Sequence, residues 1–148
     1  MATADRRAEV TWDGALISGS GRVTLVSSGV GTFPVTWPSR VEKADGRTSP
    51  EELLAAAHAS CFAMAFSAIL GREAAHPERL EVSATVSLNP KDGGGFEVTD
   101  SALTVRGVVP GVDQATFAAL AAKAKDGCPI SSALTGNVNL SVEATLIH

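Results

Sequence analysis

The run from Leu53 to Leu70 carries only His58, Ser60 and Ser67 as polar residues, and it follows the signal Thr48-Ser49-Pro50-Glu51-Glu52. Together these two features constrain the fold more than anything else in the chain. Ser49 suits the N-cap. Pro50 suits the first helical position, where a missing N–H costs nothing, and Glu52, three after the cap, completes a capping box. A helix that is apolar nearly all round has to be enclosed on most faces, and Gly71 is the predicted stop. A bilayer span needs roughly 20 strongly apolar residues, and alanine is a weak membrane former beside leucine or isoleucine. The expectation is therefore a helix buried in protein, with no membrane involved.

The flanking segments read as strands. Val10 and Trp12 alternate with Thr11, Asp13-Gly14 predicts a tight hairpin, and Val23 and Leu25 alternate with Arg22 and Thr24. Ser18-Gly19-Ser20-Gly21 separates the members of this meander. Pro34 and Pro38 push the next segment towards an edge or a loop leading to Arg40. After the helix, Val82, Ala84, Val86 and Leu88 share a strand face, Asp92-Gly93-Gly94-Gly95 turns the chain, and Phe96 to Val109 returns. Asp113 is the predicted cap of a second helix carrying Phe117, Leu120, Ala121 and Ala124 at helical spacing, with Gly127 as its end. Cys128-Pro129 opens a short third helix through Leu134, and Leu140, Val142, Ala144 and Leu146 alternate as a last strand. Strands, helix, strands, helices, strand is the order of a segregated α+β protein rather than a doubly wound sheet. With 148 residues, 45% of them apolar, one domain over 1–148 is expected.

A net charge of −4 gives no basic stripe for gripping phosphates, so nucleic acid is an unexpected partner. Residues Met1 to Glu9 carry Asp5, Arg6, Arg7 and Glu9 without an apolar stretch, which predicts no secretory signal and a cytoplasmic location. Gly93-Gly94-Gly95 lacks the strand-to-helix setting of a phosphate cradle, and no Ser/His/Asp nucleophile elbow is present. His58 and Cys61 share a helix face at i, i+3. No second pair completes a tetrahedral set, so no metal is expected.

Two cysteines in a reducing compartment are packing residues or redox-active ones. Cys61 lies inside the Ala-rich helix, either as a small apolar filler or as a nucleophile; the second role needs a positive charge nearby to form the thiolate. Arg40 is the candidate for that charge, and Glu51 is the carboxylate that would fix its guanidinium. Glu51 and Cys61 are ten positions apart, which on one straight helix means about 15 Å along the axis and roughly 80° around it. A shared site therefore implies a second subunit crossing the first in a two-fold dimer. Cys128, just before Pro129, meets backbone N–H groups that favour a negative sulfur and a good leaving group in thiol exchange; the alternative is again a small filler. His58 faces an active-site mouth or packs as a core imidazole. Phe62, Met64 and Phe66 line an apolar substrate pocket or fill the core.

The stretch Thr48-Ser49-Pro50-Glu51-Glu52-Leu53-Leu54-Ala55-Ala56-Ala57-His58-Ala59-Ser60-Cys61-Phe62-Ala63-Met64-Ala65, with Gly127-Cys128-Pro129-Ile130-Ser131, resembles the OsmC/Ohr family. Val108-Val109-Pro110-Gly111-Val112-Asp113 and Trp12-Asp13-Gly14 extend the likeness over almost the whole chain, and His58 between alanines resembles the OsmC branch. The resemblance implies an intertwined homodimer in which antiparallel β-sheets wrap central long helices, with sites at the subunit interface. It implies a thiol peroxidase acting on organic hydroperoxides, and on hydrogen peroxide as a further substrate, without a bound cofactor. By the same resemblance Cys61 is the peroxidatic cysteine, Cys128 the resolving one, Glu51 the Pro-Glu carboxylate and Arg40 the arginine ahead of the helix, with Arg22 in reserve. Cys61 becomes a sulfenic acid, Cys128 condenses with it, and a dithiol such as a dihydrolipoyl group reduces the disulfide. The rival from another class is a non-enzymatic protein that holds a small apolar ligand in the dimer-interface pocket, or serves in a stress response. Such a binder needs neither paired thiols nor a charged clamp.

Overall fold

Alternating residues of the N-terminal segment form three strands in the computed structural model, which describes residues 2–148 and divides after Pro50 into two compact units. In the first unit, β1 (Glu9–Asp13), β2 (Ser20–Thr24) and β3 (Thr32–Val35) make an antiparallel meander in that order. Val23, on β2 and paired with Val10 and Phe33, is buried. The tight turn expected at Asp13-Gly14 is a longer loop. Asp13 pairs with Ser20, residues 14–19 make the connection, and the Trp12 indole N–H donates to the Gly14 carbonyl across 3.0 Å. Pro34 falls on β3, an edge strand, as the ladder requires of a residue without an N–H.

In place of the expected loop, the chain makes a short helix, α1 (Trp37–Val41). Thr36 is extended and its hydroxyl accepts from the Ser39 amide at 3.1 Å, while the Thr36 amide donates to the Ser39 hydroxyl at 3.0 Å. This is a capping box with serine in the place usually held by Glu or Gln. It puts Arg40 in the last turn of α1, with its guanidinium 5.9 Å from the centre of the Trp37 ring.

The second unit begins at Glu51, one residue into α2 (Pro50–Arg72), which the proline opens as expected. The helix runs past Gly71. The chain turns instead at Ala74, which takes a left-handed φ of 55°, and the Ala75 amide returns to the Leu70 carbonyl at 2.9 Å. Along α2, Glu51, His58, Phe62, Phe66, Ile69 and Leu70 are buried, most of them at helical spacing. The expected enclosure on most faces is not met within the chain. An 18-residue window of α2 has a mean hydropathy of 1.9, long and apolar enough to cross a membrane by length and composition, yet only 28% of it is buried, and Met64 stands 69% exposed.

β4 (Arg79–Pro90) and β5 (Phe96–Val108) form a long antiparallel hairpin closed by the predicted glycine turn, with Gly93, Gly94 and Gly95 all at positive φ. Asp113 caps α3 (Gln114–Gly127), accepting from the Thr116 amide at 2.7 Å. α4 (Pro129–Leu134) follows, and β6 (Asn139–Leu146) completes a sheet of order β4-β5-β6. Here the expectation of antiparallel sheets needs correction, because β6 lies parallel to β5. Its connection is the crossover made by α3 and α4, which returns the chain to the end of the sheet where β5 began.

Leu103 and Val105 of β5 meet Phe62, Phe66, Ile69 and Leu70 of α2 and Phe117, Ala121 and Ala124 of α3 in one core. Three rings pack at a tilt through it, Phe62 to Phe66 at 5.5 Å and Phe66 to Phe117 at 5.0 Å. Gly107 lets this packing close: a Cβ there would lie 2.6 Å from the Phe117 ring and 3.0 Å from Leu80. Gly107→Ala is accordingly expected to destabilise the protein by roughly 1–3 kcal/mol, read as a lower denaturation midpoint, since ring and strand must separate. An unchanged midpoint would contradict this packing.

Candidate active site

The site is built on a chain junction. Cys128 ends α3 and begins α4, with φ −71° and ψ 126°. That extended conformation follows from Pro129, whose ring disfavours helical geometry in the residue before it. The break aims the Cys128 side chain at the middle of α2, where its thiol lies 2.9 Å from Cys61 Sγ. Both thiols are free; Cys61 is partly exposed and Cys128 has no accessible surface. A disulfide, at about 2.05 Å, is a short closure from this geometry.

The two sulfurs differ electrostatically. Burial pushes the Cys61 thiol up, the adjoining Cys128 sulfur adds to this, and the Ile130 amide offsets part of it. Burial also opposes ionisation of Cys128, but the Cys61 thiol, the amide and hydroxyl of Ser131 and the Ile130 amide together outweigh it and hold Cys128 below the usual thiol range. Within the second unit Cys128 is therefore the more stable thiolate. Cys61 is the sulfur with a path to solvent.

His58 is fully buried one turn before Cys61. Its Nδ1 lies 2.5 Å from Ser101 Oγ and its Nε2 lies 2.8 Å from Ser131 Oγ, so both ring nitrogens are committed. Burial lowers its pKa, which favours the neutral ring. Phe62 and Phe66 are likewise without accessible surface, whereas Met64 stands exposed. Glu51 is buried in the first turn of α2, Arg40 is half-buried on α1, and Arg22 is exposed on β2. Cys61 and Cys128 are thus brought together directly, and His58 joins them through Ser131.

Neither Ser101 nor Ser131 is among the site residues expected from the sequence. The signal was there for Ser101, which sits in the alternating buried register of β5 with Leu103 and Val105. A polar residue on a core face needs a partner, and His58, polar on the buried stripe of α2, is the complementary case.

The profile of OsmC-like proteins matches residues 43–143. The chain belongs to the OsmC-like family. It is similar to Peroxiredoxin OsmC of Escherichia coli (strain K12), with 38% identity over 95% of this chain and 97% of that one. A second relative, the organic hydroperoxide resistance protein OhrA of Bacillus subtilis (strain 168), is 35% identical over 70% of this chain and 72% of its own length. Among solved structures, the crystal structure of the organic hydroperoxide resistance protein OhrB of Bacillus subtilis superposes with a TM-score of 0.75 and 28% identity, covering 94% of this chain and 98% of that one. The α+β fold with two small sheets is the OsmC-like fold. The family resemblance noted in the sequence thus extends to the backbone.

Proposed function

We propose that the chain is a cysteine-dependent peroxidase that reduces organic hydroperoxides. The observation that carries this reading is the pair of free thiols 2.9 Å apart, one partly exposed and one buried with a stabilised negative form. Relatives named for peroxiredoxin activity and for organic hydroperoxide resistance support it. The Cys61 thiolate attacks one peroxide oxygen, the O–O bond breaks, and the alcohol leaves after taking up a proton. Cys61 is then a sulfenic acid. Cys128 attacks that sulfur, hydroxide departs as water, and the Cys61–Cys128 disulfide remains for a dithiol, such as a dihydrolipoyl group, to reduce.

Cys61 needs a cation to offset the burial that raises its pKa, and we assign this task to Arg40, oriented by Glu51. The working form is an intertwined homodimer in which residues 1–148 act as one domain, with Arg40 and Glu51 supplied from the second copy. The uncovered apolar surface of α2 supports such an assembly, since a second copy of the same helix would remove it from water. The location is the cytoplasm, where dithiol reductants are available.

The test is consumption of cumene hydroperoxide, tert-butyl hydroperoxide and hydrogen peroxide with dihydrolipoamide, following peroxide and thiols together. Parallel loss of both is expected. No loss with any peroxide would remove the enzyme reading and leave that of a non-enzymatic ligand binder.

A further inference from the structure

α4 is too short to stand alone. It has six residues, its N-cap Cys128 makes no side-chain cap hydrogen bond, and an isolated helix of that length is unstable in water. Tertiary contact has to hold it. Pro129, Ser132 and Ala133 are exposed, Ile130 and Leu134 are half-buried, and the buried residue is Ser131. What meets Ser131 inside is polar: His58 Nε2 lies 2.8 Å from its hydroxyl oxygen, and His58 Nδ1 lies 2.5 Å from the hydroxyl oxygen of Ser101 on β5. A leucine at position 58 would fill similar space without two polar atoms to satisfy, so packing alone gives no reason for a histidine. His58, Ser101 and Ser131 have almost no accessible surface, and water does not compete for these bonds.

This attachment runs beside the sulfurs. His58 and Cys61 are three apart on one face of α2, and Cys128 and Ser131 are three apart in the first turn of α4. The Ser132 amide donates to the Cys128 carbonyl at 2.9 Å, so the Cys128 backbone belongs to that turn. Two rungs therefore join the helices, His58–Ser131 at 2.8 Å and Cys61–Cys128 at 2.9 Å. The second is not a covalent link, because both thiols are free. In the dithiol form a hydrogen bond one turn away is what fastens the start of α4 to α2.

We propose that His58, anchored to Ser101 on β5, is a positioning residue that clamps Ser131 and so keeps Cys128 beside Cys61 in the dithiol form, raising the effective concentration of one sulfur at the other and favouring their disulfide. Holding two reacting groups together before reaction removes entropy that bond formation would otherwise have to overcome. By linkage, closing the disulfide strengthens the clamp by the same factor as the clamp strengthens the disulfide. The use of this proximity rests on the peroxidase reading, in which prompt closure takes the Cys61 sulfenic acid out of reach of a second peroxide; the clamp itself does not.

The experiment equilibrates the full-length protein in glutathione buffers of graded ratio, without peroxide, and reads the oxidised fraction by thiol alkylation and mass spectrometry. In the exchange the S–S bond of glutathione disulfide breaks and the Cys61–Cys128 bond forms; two electrons and two protons pass to the two glutathione thiols. The equilibrium constant is the effective concentration of the pair. His58→Asn, whose shorter amide keeps the Ser101 side and leaves Ser131, is expected to lower it roughly fivefold to tenfold, the worth of one hydrogen bond. That is a rise in reduction potential of about 20–30 mV. Ser131→Ala is expected to do the same, and the double variant no more than either, since both changes break one rung. His58→Gln, whose amide takes roughly the place of Nε2, is expected to stay within about twofold of the parent. A merely structural histidine would lower the melting temperature of the oxidised and reduced proteins equally and leave the constant unmoved. An unmoved constant in His58→Asn overturns the proposal, as do effects of His58→Asn and Ser131→Ala that multiply, or a pair that closes at no glutathione ratio. If the His58 variants do not fold, Ser131→Ala decides, and a constant equal to the parent's overturns it. An inactive protein with the expected constants would refute the peroxidase reading and leave the clamp standing.

Discussion

Cys61→Ser is expected to cut the consumption of cumene hydroperoxide by a factor on the order of a thousand or more, down to the background of the free dithiol. A serine hydroxyl at this position stays protonated, because the burial that already pushes the Cys61 thiol up would act on a far weaker acid. Cys128 cannot take over the attack. Its sulfur has no accessible surface, and a peroxide would have to displace Cys61 to reach it. The measurement is initial peroxide loss at saturating dihydrolipoamide, and activity retained in Cys61→Ser would dismiss Cys61 as the nucleophile.

Cys128→Ser separates the two halves of the reaction. The first half needs only Cys61, so the variant is expected to consume a burst of about one peroxide per chain and to stop with a sulfenic acid that dimedone traps. Recycling then fails, because dithiol-driven turnover passes through the disulfide that Cys128 would have closed. Mass spectrometry of the dimedone adduct and the amplitude of the burst are the readouts. Full steady-state turnover without Cys128 would show that the reductant acts on the sulfenic acid directly, and that the 2.9 Å contact serves packing alone.

The sequence made the elements around the cysteines legible because each is governed by local chemistry. Pro50 opens α2, Asp113 caps α3, and Cys128-Pro129 breaks α3 from α4, all through a single residue and its nearest neighbours. Where the outcome depends on tertiary context, the sequence was silent or misleading. Gly71 looked like a stop, yet Ala74 bears the left-handed turn once Ala75 is drawn into the core. The Thr36–Ser39 capping box was missed because serine rarely holds its second position. The parallel pairing of β6 is invisible to alternation, which is the same for either strand direction. For the site, two cysteines in a reducing compartment raised the redox reading and the family resemblance made them a pair, but neither pointed to the serines beside them. Ser101 and Ser131 matter through His58, and neither hydrogen bond joins residues close in sequence.

That parallel pairing also bears on the order in which the second unit can assemble. The β4–β5 hairpin joins residues across a short turn, whereas Asp100 meets Asn139 and Gly107 meets Leu146 only after both intervening helices have been placed. Loop closure of that length is slow beside hairpin formation. Until β6 arrives, one side of β5 presents open N–H and C=O groups to any passing strand, the condition under which refolding chains associate. The residues that bring Cys128 to Cys61 lie on the same crossover, so the stretch of chain that assembles the redox pair is also the one that has to dock before that edge is covered.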